Sequence, residues 1–521
     1  MHRWKMFFPL LTTLLISLVF KLILIFTGAV PFNSDEAIVA LAARHILQGA
    51  RPVFYYGQAY MGTVDSFLVA LAFSLFGESV WVMRFVQVGV YLLFTLSIWV
   101  LTNRLFNNRS MANTAAFLAA IPPVMITTYT TPYFGTYGET LVFGNILLLV
   151  GFEIIYGKWQ RSIIAWIGLG VIAGFAFWTF SMIGIYVLPV AMLGLWEHRL
   201  KLWRQYLVCA AAFLIGSSPW WWFNLHNDWA AWFALVNPSL IQVSFFERLI
   251  GFLGLGIPAL LSIRPPWQAL YFSGPILFVG GGLYLIAVLE VGRAAYKKTL
   301  PVSREVLSFL ILYLGIYLGI FLGTNLGIDS TGRYLLPLFI LLVMFIAYFI
   351  ETIKQQRARV AYIVTIAFML VNLSGTWLAA QSEDGITTQF DPITSFNNQN
   401  DQALIDFLIG NDLTRGYTNY WVTYRLAFLS SETLVYSPEL PYKQNLTYTP
   451  ADIRIPEYAS LADDSPESTW ITSKHPQLDA ILRDRFFELG ITFKEKQIGP
   501  YHLFYEFSQR VSPEDVGYGS E

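Results

Sequence analysis

Up to about residue 380 the chain alternates long apolar blocks with short polar loops, and after Gln381 the pattern changes to that of an ordinary globular sequence. Apolar blocks of about 17–25 residues have the length needed to cross the hydrocarbon core of a bilayer. Candidate spans lie at 7–30, 81–102, 110–127, 139–156, 162–178, 181–196, 206–222, 271–291, 305–323, 334–350 and 360–380, about eleven in all. The apolar run 63–76 is short for a span and suits a membrane-lying or partly inserted helix. The sequence therefore predicts a polytopic α-helical membrane module over 1–380 and a soluble domain over 381–521. In the second part, 401–410, 418–429 and 476–489 read as helices. Short strands are expected at 433–436 and 468–472, with two more around Gly499-Pro500, and helices alternating with strands predict a small α/β domain.

Composition agrees, with 55% hydrophobic and only 13% charged residues, where a soluble domain carries about 25% charged. The single cysteine, Cys209, lies in an apolar run and excludes an internal disulfide framework or a thiolate zinc site. No two of the six histidines have zinc spacing.

Charge then orients the spans. Arg3 and Lys5 precede the first block, which is too long for a cleavable signal sequence and predicts a cytoplasmic N-terminus. Loops expected inside hold Arg104 and Arg109; Lys158 and Arg161; Arg199, Lys201 and Arg204; Arg293, Lys297, Lys298 and Arg304; Lys354, Arg357 and Arg359. Loops expected outside hold only Arg44, Arg51, Arg248, Arg264 and Arg333. The outer face thus receives the first loop, 31–62, the long loop 223–270 with its tryptophans at the membrane interface, and the C-terminal domain.

Candidate chemistry collects on that face. In the first loop, Asn33 or Ser34 can cap a helix running to about Gln48, with Asp35 and Glu36 in its first turn. At about 100° per residue Asp35 falls on the apolar stripe of Ile38, Val39, Ala42 and Ile46, and Glu36 at its edge. Asp35 is therefore expected to point inward and Glu36 to be the better solvated, though both also suit simple capping. Glu139 follows a Pro, Gly and Tyr cluster at the outer end of a span, where a carboxylate is a functional candidate or a helix-dipole partner. Arg333 precedes another span and can grip a phosphate bidentately, snorkel to headgroups or pair with Asp329. Lys21 lies in the outer half of the first span, where snorkelling, an ion pair or a phosphate contact can offset its cost.

A carboxylate beside a cation in an outer cavity suits transfer between a hydroxyl and a phosphate-activated group, the carboxylate acting as general base and the cation offsetting charge on the departing phosphate. Ser34-Asp35-Glu36-Ala37, Ala43-Arg44-His45-Ile46-Leu47, Tyr56-Gly57-Gln58-Ala59-Tyr60-Met61-Gly62 and Arg333-Tyr334-Leu335-Leu336-Pro337 together resemble the GT-C glycosyltransferases, in the bacterial branch related to protein O-mannosyltransferases and lipid A aminoarabinose transferase. The resemblance covers about residues 1–380 in architecture and these short motifs in sequence. It implies an inverting cell-envelope transferase that moves a sugar from a polyprenyl-phosphate donor to a glycan, lipid or protein acceptor. Asp35 would be the base, with Glu36 and Glu139 as further catalytic candidates. Arg333, Tyr334, Tyr56, Gln58, Tyr60 and Lys21 would bind substrate. Some relatives use a divalent metal and others do not; Asp35, with the adjacent Glu36, and Glu139 could bind Mg or Mn here, but the sequence does not require one. Nothing points to a nucleic acid partner. The alternative is a transporter or flippase of lipid-linked sugars, which would use the same cavity without chemistry but would predict charges deep in several spans and pseudo-repeated halves; neither is seen in the sequence.

Overall fold

The computed structural model describes residues 2–236, 243–267, 271–272, 274, 276–297, 302–329, 332–389, 397–466 and 468–518. Lys298 and the parts of the long outer loop at 237–242 and 268–270 lie outside the described residues.

Among the described residues, eight helices are long and apolar enough to cross a membrane, from Phe7–Phe26 to Ala358–Ala380, or nine with the pair Arg109–Ala120 and Val124–Thr130, which bends by 72°. The expected number was about eleven. The difference lies in short helices. Ile163–Thr179 is too short to count alone, and the apolar stretch Ser181–Gly216 is divided by a turn at Arg199–Leu202 into Gly184–His198 and Trp203–Gly216. The second half runs parallel to Ile163–Thr179. A side chain at Gly170 or Gly174 would strike the carbonyls of Cys209 or Phe213 within 2.3 Å, so small residues set this backbone-to-backbone contact. Apolar side chains such as Leu15, Ile164, Leu207 and Ile363 remain exposed on the bundle's outside, as a surface facing lipid requires.

The C-terminal region carries a five-stranded mixed sheet in the order Val435–Ser437, Arg415–Tyr417, Thr469–Ser473, Tyr501–Tyr505, Lys494–Ile498. The first three strands are parallel, and the last two pair antiparallel. Helices Asp401–Gly410, Tyr420–Leu429 and Pro476–Glu488 form where the hydrophobic pattern predicts them. Strand Arg415–Tyr417 and helix Pro456–Asp463 were not expected.

The first outer loop joins the two regions. Its helix, Ser34–Leu47, is capped by Asn33, whose side chain accepts from the Glu36 amide at 3.2 Å. Residues Ala37–Ala43 are almost completely buried, because the helix is held between Val64–Phe76 and Tyr420–Leu429. Phe428 of the outer domain meets Phe32 and Phe73 at ring distances of 5.7 and 6.2 Å. At the far end Arg44 donates to Glu78 at 2.7 Å and to the Phe428 carbonyl at 3.2 Å, and reaches Glu432 at 3.4 Å. His45 bridges Tyr56 and Glu432 at 2.9 and 3.0 Å. Burial opposes ionisation of Glu432, yet His45, Tyr458 and Arg44 hold its pKa down at about 2. A two-stranded hairpin, Phe54–Tyr55 with Gln58–Gly62, follows. Its turn residue Gly57 has φ +69°, and an added Cβ there would lie 2.7 Å from Cδ of Arg454, so glycine lets the outer domain close on the loop.

Candidate active site

A cavity of about 240 Å³ lies between the first loop, the adjoining ends of the membrane helices and the C-terminal region. The loop contributes Asp35, Tyr55, Gln58, Tyr60 and Met61, the membrane module Tyr129, Phe134, Tyr137 and Arg333, and the C-terminal region Thr388, Tyr420, Trp421, Tyr442, Asp452 and Arg454.

Asp35 opens into this cavity from the first turn of its helix and is only partly buried. Its Oδ1 accepts from the Tyr420 hydroxyl at 2.5 Å and its Oδ2 from the Thr388 hydroxyl at 3.3 Å. The Tyr55 hydroxyl donates to its backbone carbonyl. Burial and then the Asp35 charge push the pKa of Tyr420 well above the usual value, and the same two causes act on Tyr55. Both phenols therefore stay protonated and serve as donors. The carboxylate is oriented from two sides, as a group that must receive a proton at a fixed point needs to be.

Two guanidinium groups line the same cavity. Arg333 begins a membrane helix, forms an ion pair with Asp329 at 2.5 Å and lies 5.0 Å from the Tyr334 ring. Arg454 comes from the outer domain. It donates to the Gly57 carbonyl at 3.1 Å and lies 5.6 Å from the Tyr420 ring. In the orientation of Gln58 that satisfies both groups, the amide oxygen accepts from Arg454 at 2.9 Å. Beside it, burial pushes the pKa of Asp452 up to about 6, against the pull of Arg454 and Lys443, with the Asp35 charge adding to the rise.

Other expected site residues fall elsewhere. Glu36 was expected to be the better solvated carboxylate, and the reverse holds. It is completely buried, and both its oxygens are held by Arg84 at 2.9 and 2.7 Å. The helix stripe missed this because Arg84, on a separate membrane helix, supplies a buried partner. Glu139 is buried too, accepting from the Tyr133 hydroxyl, and does not line the cavity. Lys21 neither snorkels nor reaches the cavity. Its ammonium is enclosed, donating to the Thr130 carbonyl at 3.0 Å and the hydroxyls of Thr130 and Thr131 at 2.9 Å, with the Tyr91 ring 4.1 Å away. Tyr56 contacts His45 and Tyr334 stacks against Arg333, and neither lines the cavity. No residue of the long loop 223–270 lines the cavity among those described. The structure thus gathers Asp35, Gln58, Tyr60 and Arg333, and adds Thr388, Tyr420, Asp452 and Arg454. The later four lie in a stretch without a motif, and only the turn glycine Gly57 hints that something closes on the loop.

Asp35 and Glu139 do not share the cavity, and among the described residues no group of three or more His, Cys, Asp or Glu is placed to hold an ion. The two carboxylates that the resemblance offered as metal ligands are therefore not brought together in this cavity.

Residues 62–223 match the family described as Dolichyl-phosphate-mannose-protein mannosyltransferase. No curated protein sequence matches the chain. Among solved structures, the archaeal oligosaccharyltransferase AglB from Archaeoglobus fulgidus, in complex with an inhibitory peptide and a dolichol-phosphate, is similar over 91% of this chain and 70% of its own (TM-score 0.55, 13% identity). The oligosaccharyltransferase of the same organism in complex with Zn and sulfate matches over 92% and 69% (TM-score 0.51, 13% identity). ArnT from Cupriavidus metallidurans bound to undecaprenyl phosphate matches over 94% and 97% (TM-score 0.50, 14% identity). The chain thus has the architecture of a multi-pass membrane protein with the GT-C glycosyltransferase fold, and part of it, residues 62–223, matches a mannosyltransferase family.

Proposed function

We propose that this protein is an inverting glycosyltransferase that takes a sugar from a polyprenyl-phosphate donor at the outer face of the membrane, with its N-terminus cytoplasmic and its C-terminal domain outside. The observation that carries the reading is a cavity lined both by a doubly oriented carboxylate, Asp35, and by a guanidinium, Arg333, at the head of a membrane helix. Arg333 holds the donor phosphate where a lipid carrier surfaces from the bilayer. The acceptor hydroxyl lies against Asp35. Its oxygen attacks the anomeric carbon on the face opposite the phosphate as the bond to the phosphate oxygen breaks. Asp35 takes the hydroxyl proton, and the departing lipid phosphate keeps the bonding electrons, its charge offset by Arg333. Tyr420 and Thr388 hold the carboxylate, and no step is routed through a metal. The known binding of undecaprenyl phosphate by ArnT and of a dolichol-phosphate by AglB supports a lipid-phosphate donor.

The test is transfer by purified protein from a polyprenyl-phosphate sugar to candidate acceptors, with donor binding measured in parallel. Asp35→Asn is expected to bind donor and fail to transfer. Undiminished transfer by this variant would remove Asp35 as the base, and donor binding by the wild type without transfer to any acceptor would favour transport.

A further inference from the structure

We propose that a second groove, separate from the catalytic cavity, binds the phosphate of an anionic membrane phospholipid through Arg84. The groove measures about 590 Å³ and shares no lining residue with the catalytic cavity. Its volume is within the range of about 300–1,000 Å³ that small-ligand sites occupy.

Three observations converge on a lipid phosphate. The first is a half-used guanidinium. Arg84 gives Nε and Nη2 to the two oxygens of Glu36, which leaves Nη1 as the nitrogen with donors to spare. The side chain is only 4% exposed, and it lines the groove. Its position in the second turn of the helix Val80–Phe106 adds the positive end of the helix dipole.

The second is depth. Phe26, Trp81 and Phe85 are 62%, 44% and 42% exposed and cluster, with Phe26 at 5.3 Å from Trp81 and 6.2 Å from Phe85. Exposed aromatics on span ends mark the boundary between hydrocarbon and headgroups. Arg84, one turn further along the same helix as Trp81, therefore lies near this boundary.

The third is the two-sided wall. Ile25, Val30, Val80 and Trp81 form an apolar side, whereas Thr27, Gln402 and Asp401 stand on a polar rim, the Asp401 carboxylate being held by Arg425 at 3.3 Å and by the Tyr501 hydroxyl. Asn398 keeps that rim in place by exchanging hydrogen bonds with the Phe32 backbone at 2.6 and 2.8 Å. A free inorganic phosphate has no use for the apolar wall. A phospholipid uses all three features, with its phosphate on Arg84, its glycerol at the rim and its first methylenes along Trp81. Because Arg84 also holds Glu36, the residue after the Asp35 base, a lipid here would stiffen the start of the catalytic helix.

Native mass spectrometry of the full chain in detergent, with phosphatidylglycerol or phosphatidylcholine added, tests the site. One phosphatidylglycerol per chain is expected to survive activation that strips phosphatidylcholine. Arg84→Ala strands Glu36 and risks unfolding, so Gln402→Glu carries the test by placing a like charge on the rim without touching that pair. It should weaken phosphatidylglycerol retention about tenfold, and Trp81→Ala should weaken it by a similar factor through the apolar wall. Arg333→Ala, in the other cavity, should leave it unchanged. Equal retention of the two lipids, wild-type retention by Gln402→Glu, or displacement by millimolar inorganic phosphate would overturn the proposal. Preferential displacement by polyprenyl phosphate would overturn the choice of a bulk phospholipid in favour of the carrier lipid.

Discussion

The two walls of the catalytic cavity are built differently. One wall carries Arg333, at the head of a membrane helix, and Asp35, in the first turn of the loop helix Ser34–Leu47. The other wall, Tyr420 with Asp452 and Arg454, is carried by the C-terminal region, which reaches the cavity by packing on the Ser34–Leu47 helix and on the hairpin turn at Gly57. Under the proposed function, groups on the first wall do the chemistry or hold the donor, and groups on the second orient them. Substitutions on the first wall should therefore cost far more activity than those on the second.

The largest expected loss is at Asp35. A general base contributes about 10²–10⁴ in rate, so Asp35→Asn should lower transfer by at least about a hundredfold while donor binding persists. Single-turnover assays with pre-bound donor separate the two. If Tyr420→Phe were as damaging as Asp35→Asn, the division between the walls would be wrong.

Next comes the buried pair behind the first wall. Glu36→Ala leaves the Arg84 guanidinium enclosed without its partner, a change that costs about 3–5 kcal/mol. A marked fall in melting temperature is expected, with poor recovery of folded protein. Replacing both residues, Glu36→Gln with Arg84→Met, should recover much of the loss. A stable Glu36→Ala variant that has merely lost transfer would instead return Glu36 to the catalytic machinery.

Arg333→Ala should raise the donor KM by about 10- to 100-fold, since a hydrogen bond to a charged group is worth about 1.5–3 kcal/mol. The acceptor KM should barely move. Equal changes in both would count against a phosphate role. Tyr420→Phe removes one of two side-chain hydrogen bonds to the Asp35 carboxylate and should lower transfer by about fivefold, at about 1 kcal/mol.

The contrast between the walls also explains what could be read from the chain. Asn33, Asp35 and the helix to Leu47 were legible because capping and periodicity are local. Arg333 was legible because it stands at a span's edge. The reversal of Asp35 and Glu36 was not. A stripe drawn on one helix cannot see that Arg84, 48 residues later, will enter the space beside Glu36. Nor could it see that Phe428 would cover the apolar stripe while leaving Asp35 at an opening. Lys21 was misread for the same reason, because the Thr130 and Thr131 hydroxyls that satisfy it follow from the bend between Arg109–Ala120 and Val124–Thr130. The outer wall was the least legible. Tyr420, Asp452 and Arg454 are ordinary surface-type residues in an ordinary α/β sequence, and only docking makes them a site.

The smallest effect gives the finest test of that docking. Asp452 has a folded pKa of about 6 because burial disfavours its charge, against an ordinary value of about 3.9 in an unfolded chain. Between these values the folded state binds the proton more tightly. Stability should thus be greatest below about pH 4, fall as pH rises to about 6, and change no further above it. The full loss from this group would be about 3 kcal/mol at most. Asp452→Asn removes the titration, so the variant should melt close to the wild type at pH 4.5 and clearly above it at pH 7. Thermal melts across that range in detergent measure the gap. A gap that stays constant with pH would mean that Asp452 is solvated in the working protein and that the outer domain stands away from the loop. A gap that widens with pH would place the domain against Asp35 under working conditions, as the cavity requires.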